Sequence, residues 1–161
     1  MIRRPLFAPA MATLLLTGLI GLAAVGPAFS KDVRYHRSDT VKELGLPFSD
    51  AVQVGQTLYL SGQIGAVPGS LELAPGGMAG QARQAMDNIG AVLAAHNAGF
   101  EHVFKCTVML GDMGQWADFN KVYVTYFKPD AYPARSAFGA NGLALGGLVE
   151  VECWAHLPPR S

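Results

Sequence analysis

Pro133-Ala134-Arg135-Ser136, a glycine-rich bend from Gly139 to Gly147, and the run Leu148-Val149-Glu150-Val151-Glu152-Cys153-Trp154-Ala155 decide how this chain is read. The stretch predicts strand, bend, strand. From Val149 to Ala155 the side chains alternate: Val149, Val151, Cys153 and Ala155 share one face, and Glu150, Glu152 and Trp154 the other, the period of a half-buried antiparallel strand. The first face is core. The second sets a tryptophan beside two carboxylates, and solvent-facing surfaces seldom hold tryptophan, so cover by another subunit or a cleft is expected there. On the first strand Arg135, Ala137 and Gly139 share a face, with Ser136, Phe138 and Ala140 opposite.

A bend symmetric about Ala144 and Leu145 would pair the two strands as a hairpin, with Arg135 near Trp154 and Glu150 near Gly139. At about 3.3 Å per residue the arginine and the glutamate would stand roughly 13 Å apart along the strands, at opposite ends of a small molecule. The same spacing also suits a structural ion pair, or an arginine reaching solvent.

The chain's 161 residues allow one domain. Its first thirty differ in kind from the rest: Arg3 and Arg4, an uncharged and largely apolar run from Met11 to Val25, then Pro27-Ala28-Phe29-Ser30. A basic start, an apolar middle and small residues at Ala28 and Ser30 predict a signal peptide over residues 1–30, cut between Ser30 and Lys31, and a periplasmic or secreted domain over residues 31–161. The competing reading is an uncleaved anchor, although about 15 apolar residues with glycines are short for a span. After cleavage no membrane attachment is expected. The leader removes two of 12 basic residues and none of 12 acidic ones. A slightly acidic mature domain has no electrostatic footprint for nucleic acid.

Along the mature chain, residues 33–38 read as an edge strand and Leu46-Pro47-Phe48-Ser49 as a turn. A hairpin follows, residues 50–54 returning through Gly55-Gln56 into residues 57–64. Ser61-Gly62 leaves bare backbone for a ligand, another chain or a bulge. After a loop over residues 65–77, a helix is expected from about Met78 to Asn97, with Ala82, Ala85, Met86, Ile89, Val92 and Leu93 on one stripe. Residues 102–110 read as a central strand. Asp112 is placed to cap a second helix running to about Phe127, with Asn120 among its apolar positions. Both helices on one face of one sheet make an α+β layer, whose other face is economically buried by oligomerisation. Cys106 and Cys153 both fall on apolar strand faces; export permits a disulfide, while buried cysteines also serve as small hydrophobes, so their pairing stays open.

Taken in order, Ser61-Gly62-Gln63-Ile64, Gln81-Ala82-Arg83-Gln84 with Asn88, Phe119-Asn120 with Tyr123 and Phe127, Pro133-Ala134-Arg135-Ser136 and Val149-Glu150-Val151-Glu152 make the chain resemble the RidA/YjgF family of small 2-imino acid deaminases, over about residues 46–157. The resemblance implies a chorismate mutase-like (YjgF-like) α+β fold, one mixed or antiparallel sheet with two helices on one face. It also implies a homotrimer whose sheets form a central barrel, clefts between subunits, and no cofactor. It matches the family's substrate-binding arginine with Arg135 and its water-handling glutamate with Glu150, and places Gly62 and Asn120 at other pocket positions. Two positions depart from the pattern. Phe48 stands where a pocket tyrosine is frequent, which removes a hydroxyl donor, and Ala137 stands where a cysteine is frequent, which removes a thiol and leaves only a backbone amide to donate.

The mechanism so implied has Arg135 gripping the carboxylate of a 2-imino acid through two parallel hydrogen bonds while Glu150, its pKa raised by desolvation, deprotonates a water that adds to the C=N carbon. The products are a 2-oxo acid and ammonium. The alternative is a non-catalytic exported trimer that holds a small carboxylate metabolite or a protein partner in the same cleft, for which the apolar mouth at Phe48 is suited. No metal site is expected, since His36, His96, His102 and His156 are scattered. Gly-x-Gly-x-x-Gly, P-loop and Gly-x-Ser-x-Gly patterns are absent from the sequence.

Overall fold

The computed structural model describes residues 32–159; the expected leader lies outside them. In chain order the elements are β1 (Val33–His36), α1 (Asp39–Glu43), β2 (Ala51–Val54), β3 (Thr57–Leu60), β4 (Gln63–Ile64), α2 (Gly77–Ala94), β5 (Val103–Leu110), α3 (Trp116–Tyr123), β6 (Ala134–Gly139) and β7 (Val149–His156). The strands form one mixed sheet in the order β1-β2-β3-β7-β5-β6, with β4 continuing the β3 side of β7. Both long helices pack on one face. Ala82, Met86, Ile89 and Leu93 of α2 and Phe119, Val122 and Tyr123 of α3 join Leu58, Val108, Val149, Val151 and Ala155 in a single core.

The expected hairpin is not there. β6 pairs in parallel with β5, and β5 pairs antiparallel with β7, so β5 lies between the two strands that adjoin in sequence. The reason is the crossover: α3 carries the chain back over the sheet, so β6 enters in the direction of β5, as a strand-helix-strand unit requires. The connection from Ala140 to Leu148 then spans two strand spacings, about 10 Å, well within its reach.

Local signals fare better. β7 alternates as its sequence predicts, with Val149, Val151, Cys153 and Ala155 fully buried. Asp112 caps the turn before α3, accepting from Gly114 N at 2.8 Å. The second helix is shorter than its apolar spacing suggested, because 3₁₀ turns at Met113–Gln115 and Val124–Tyr126 flank α3. α2 ends where Asn97 takes a left-handed φ of 55° and Ala98 N returns to Leu93 O at 3.0 Å. α1, a single turn capped by Ser38 Oγ on Val41 N at 3.2 Å, was not foreseen, since one turn is too short to show a period.

Cys106 and Cys153 face each other across β5 and β7 and form a fully buried disulfide with an S–S distance of 2.05 Å. The glutamine-rich start of α2 also acquires a role. Gln81 Oε1 accepts from Leu148 N at 2.8 Å, and Asn88 Nδ2 donates to Ala66 O at 2.9 Å, fixing the beginning of β7 and the loop after β4 to the helix. The sheet's other face has no described element over it. Tyr59 and Trp154 meet edge to face at 4.9 Å there, and Phe138 is 50% exposed.

Candidate active site

Arg135 sits opposite Cys106, which in turn sits opposite Cys153, so all three point to the helix-covered face. There α3 presents Trp116, Asn120 and Tyr123 at i, i+4 and i+7, one stripe of a helix. The guanidinium carbon lies 4.6 Å from the Trp116 ring centre and 4.5 Å from that of Tyr123, and Nη1 donates to Asn120 Oδ1 at 2.8 Å. Two aromatic faces hold the cation by its quadrupole attraction and an amide fixes its rotation. Burial pushes the Tyr123 hydroxyl up to about 12, against a smaller lowering by Arg135, so the ring stays neutral beside the charge. Among the described residues no carboxylate pairs with Arg135. The positive charge is therefore held in place and left for an anion. Ala137, two residues on, shares the face and is half-buried.

Glu150 belongs elsewhere. It pairs with Met109, and Met109 with Phe138, which puts it on the uncovered face. Burial raises its carboxyl above the ordinary value, and the like charge of Glu152 raises it further. Glu152 is itself held by Trp154 Nε1, which donates to Oε1 at 2.5 Å. The Glu150 carboxylate lies over Gly62: a Cβ at that glycine would overlap Oε1 and stand 2.9 Å from Cδ. Gly62 occupies the break between β3 and β4, where Ser61 Oγ donates to Ser49 O at 2.6 Å and Ser61 N to Asp50 O at 2.9 Å. Phe48, 46% exposed, shares with Gly62 and Ile64 the wall of a cavity of about 760 Å³.

The predicted residues thus fall into two groups. Arg135, Asn120 and Ala137 lie on one face, and Glu150, Gly62 and Phe48 belong to the other group. The expectation that Arg135 and Glu150 share a face came from the hairpin, and it fails with the hairpin. A small molecule cannot touch both through a sheet of one chain. Sequence reasoning missed Trp116 and Tyr123 as the walls around Arg135, although their helical spacing from Asn120 was a usable signal. Among the described residues no three His, Cys, Asp or Glu stand together as metal ligands.

A protein-family model described as endoribonuclease L-PSP matches residues 40–157. A mouse protein named 2-iminobutanoate/2-iminopropanoate deaminase is 44% identical over 113 residues, 70% of this chain and 83% of the mouse one. Among solved structures, a yeast protein superposes with a TM-score of 0.72 at 32% identity, covering 78% of this chain and 99% of its own. RidA from the Antarctic bacterium Psychrobacter superposes with a TM-score of 0.65 at 38% identity, covering 69% and 89%.

Proposed function

The chain belongs to the endoribonuclease L-PSP family, the RidA/YjgF family, and from that premise we propose that it is an exported deaminase that hydrolyses small 2-imino acids to 2-oxo acids and ammonium. The observation that carries the reading is Arg135, held between two rings and an amide with no carboxylate partner among the described residues. Such a guanidinium suits the bidentate grip of a substrate carboxylate. The name of the mouse relative supports the reaction class.

The placement of Arg135 and Glu150 on opposite faces supports a site shared between subunits. Arg135 of one subunit and Glu150 of a neighbour meet at one substrate, in a homotrimer that buries the uncovered face bearing Tyr59, Trp154 and Phe138. The substrate carboxylate docks on Arg135, which fixes the imine carbon. Glu150 takes a proton from water as the oxygen adds to that carbon, giving a carbinolamine. The proton passes on to nitrogen, the C–N bond breaks to release ammonia, and the hydroxyl proton goes to that ammonia as the C=O bond of the 2-oxo acid forms, giving ammonium. Burial of Glu150 favours this role, because a carboxylate with a raised pKa is a stronger base.

Export is supported by the buried disulfide, which belongs to an oxidising compartment. Intact mass of the exported protein is expected to begin at Lys31.

The test generates 2-iminopropanoate with an amino acid oxidase and follows ammonia release by wild type, Arg135→Ala and Glu150→Gln. Both variants are expected to lose activity. Mixed in equal amounts and reassembled, they are expected to recover activity in about a quarter of sites, because a cyclic trimer of mixed chains regains one intact pairing. No recovery would remove the shared site. If all three proteins match the uncatalysed rate, yet Arg135→Ala abolishes pyruvate binding by calorimetry, the chain is a carboxylate-binding trimer instead.

A further inference from the structure

Tyr123 carries a hydroxyl that the fold does not use. Its side chain is buried, with 3% of the residue exposed, and among the described residues the hydroxyl has no hydrogen-bond partner. Buried polar groups are paired as a rule, because an unpaired one loses its hydration and gains nothing in return. The next tyrosine along the chain, Tyr126, obeys the rule. Its hydroxyl donates to Asp87 Oδ1 at 2.7 Å, although it is the less buried of the two.

Packing does not call for a hydroxyl at this position. The Tyr123 ring lies between those of Phe119 and Phe127, at i−4 and i+4, with ring centres 5.5 and 4.8 Å away, and both neighbours fill the core as plain rings. A phenylalanine at 123 would bury the same ring without a polar atom. Of these three rings, it is that of Tyr123 that Arg135 lies over, its guanidinium carbon 4.5 Å from the ring centre. The hydroxyl is therefore carried at the edge of a ring that flanks the charge left for an anion. Burial pushes the phenol up to about 12, against a smaller lowering by Arg135, so it is a hydrogen-bond donor throughout the neutral range.

We propose that the Tyr123 hydroxyl donates to the substrate's carboxylate, a third hydrogen bond beside the two from Arg135, and is thus a substrate-binding group of this site. The inference rests on the deaminase reading. A carboxylate accepts about four hydrogen bonds, of which a bidentate guanidinium supplies two. An anion in the plane of the guanidinium lies alongside the flanking ring, which brings a carboxylate oxygen towards the ring's edge. Asn120 Oδ1 takes an N–H of Nη1, and the phenol supplies a donor in its place. The penalty of an unpaired buried hydroxyl falls on the free protein and is relieved when the anion binds, which favours the bound state.

The test is Tyr123→Phe, which removes the hydroxyl and keeps the ring. The carboxylate stays an anion from substrate to product, so its hydrogen bonds act on ground state and transition state alike, and their loss appears in KM. With 2-iminopropanoate made by an amino acid oxidase, KM is expected to rise on the order of 10- to 100-fold while kcat stays within about twofold, and pyruvate is expected to bind more weakly by the same factor in calorimetry. Tm is expected to hold or to rise by a few degrees, because the folded chain no longer buries an unpaired hydroxyl. A hydroxyl that serves only the fold would do the opposite, lowering Tm and leaving KM alone. Unchanged KM with unchanged pyruvate affinity overturns the proposal and leaves the deaminase standing. No acceleration of imine hydrolysis by wild type overturns the deaminase reading, and pyruvate affinity then decides the hydroxyl by itself: weaker binding by Tyr123→Phe upholds its contact with a carboxylate, and binding that is equal or absent in both proteins overturns it.

Discussion

The two faces of the sheet hold their candidate site residues in different ways. On the helix-covered face Arg135 is fixed by its own chain, with Trp116 and Tyr123 on either side, Asn120 at Nη1 and the Cys106–Cys153 disulfide in the same cross-strand row. On the uncovered face Glu150 lies over the Gly62 backbone between its cross-strand neighbours Met109 and Ile64, with the like-charged Glu152 beside it. The cation is placed by folding alone, whereas in the proposed trimer the acid would gain the rest of its surroundings from a neighbouring subunit. A binding group must be rigid before the substrate arrives, because geometry held in advance costs nothing at the moment of reaction. A base gains from an environment that closes around it and excludes water.

This difference can be broken or sharpened experimentally. The largest effect is expected from Arg135→Ala, which removes two charged hydrogen bonds at about 1.5–3 kcal/mol each and so lowers kcat/KM on the order of 1,000-fold. Arg135→Lys should recover little of it, since lysine cannot copy the bidentate fork. A loss under tenfold would show that the substrate is held elsewhere.

Next comes the disulfide beneath the arginine. It closes a separation of 47 residues, and Cys106→Ala with Cys153→Ala is expected to cost about 2–4 kcal/mol in denaturant unfolding. If the arginine's face is rigid because its chain is braced there, KM should rise along with the lost stability. Unchanged KM would separate the brace from the site.

On the other face Gly62→Ala should do the reverse. Its methyl displaces only the far end of a flexible side chain, Glu150, and meets no backbone. Activity should fall about 100-fold, the low end of what a positioned general base contributes, while Tm changes little. A large fall in Tm would show that the glycine serves the fold. Gly65 makes the contrast, since a Cβ there would come within 2.5–2.7 Å of the Gln81 backbone and Cβ, where nothing can yield.

The smallest effect is in pH. Glu150 must be ionised to accept a proton, and its pKa is raised from 4.5 by burial first and by Glu152 second. The acid limb of kcat/KM should therefore lie above the ordinary carboxylate range, with activity rising as pH passes through it. Stability runs the other way: a carboxyl whose folded pKa is raised contributes stability that is present below its unfolded pKa and lost as pH rises through the folded one. Glu152→Gln should move the acid limb to lower pH. An unmoved limb would mean that another group titrates.

Much of this was legible in the residues because it is local. The alternation from Val149 to Ala155 shows which side chains share a face of β7, the apolar spacing marks α2, and Asp112 marks the turn into α3, each within a few residues of itself. The candidate site residues come instead from the family resemblance, position by position. What the sequence did not contain was which strand lies beside β6. A period of two orders the faces along one strand but says nothing of its register against another, and a strand inserted between two others resets that relation. Only the folded chain, with β5 between β6 and β7, decided that Arg135 and Glu150 look in opposite directions, that Cys106 and Cys153 meet, and that α1 closes a cavity beside Gly62. Those are contacts between distant segments, settled by how helices cross over a sheet rather than by any neighbouring residue.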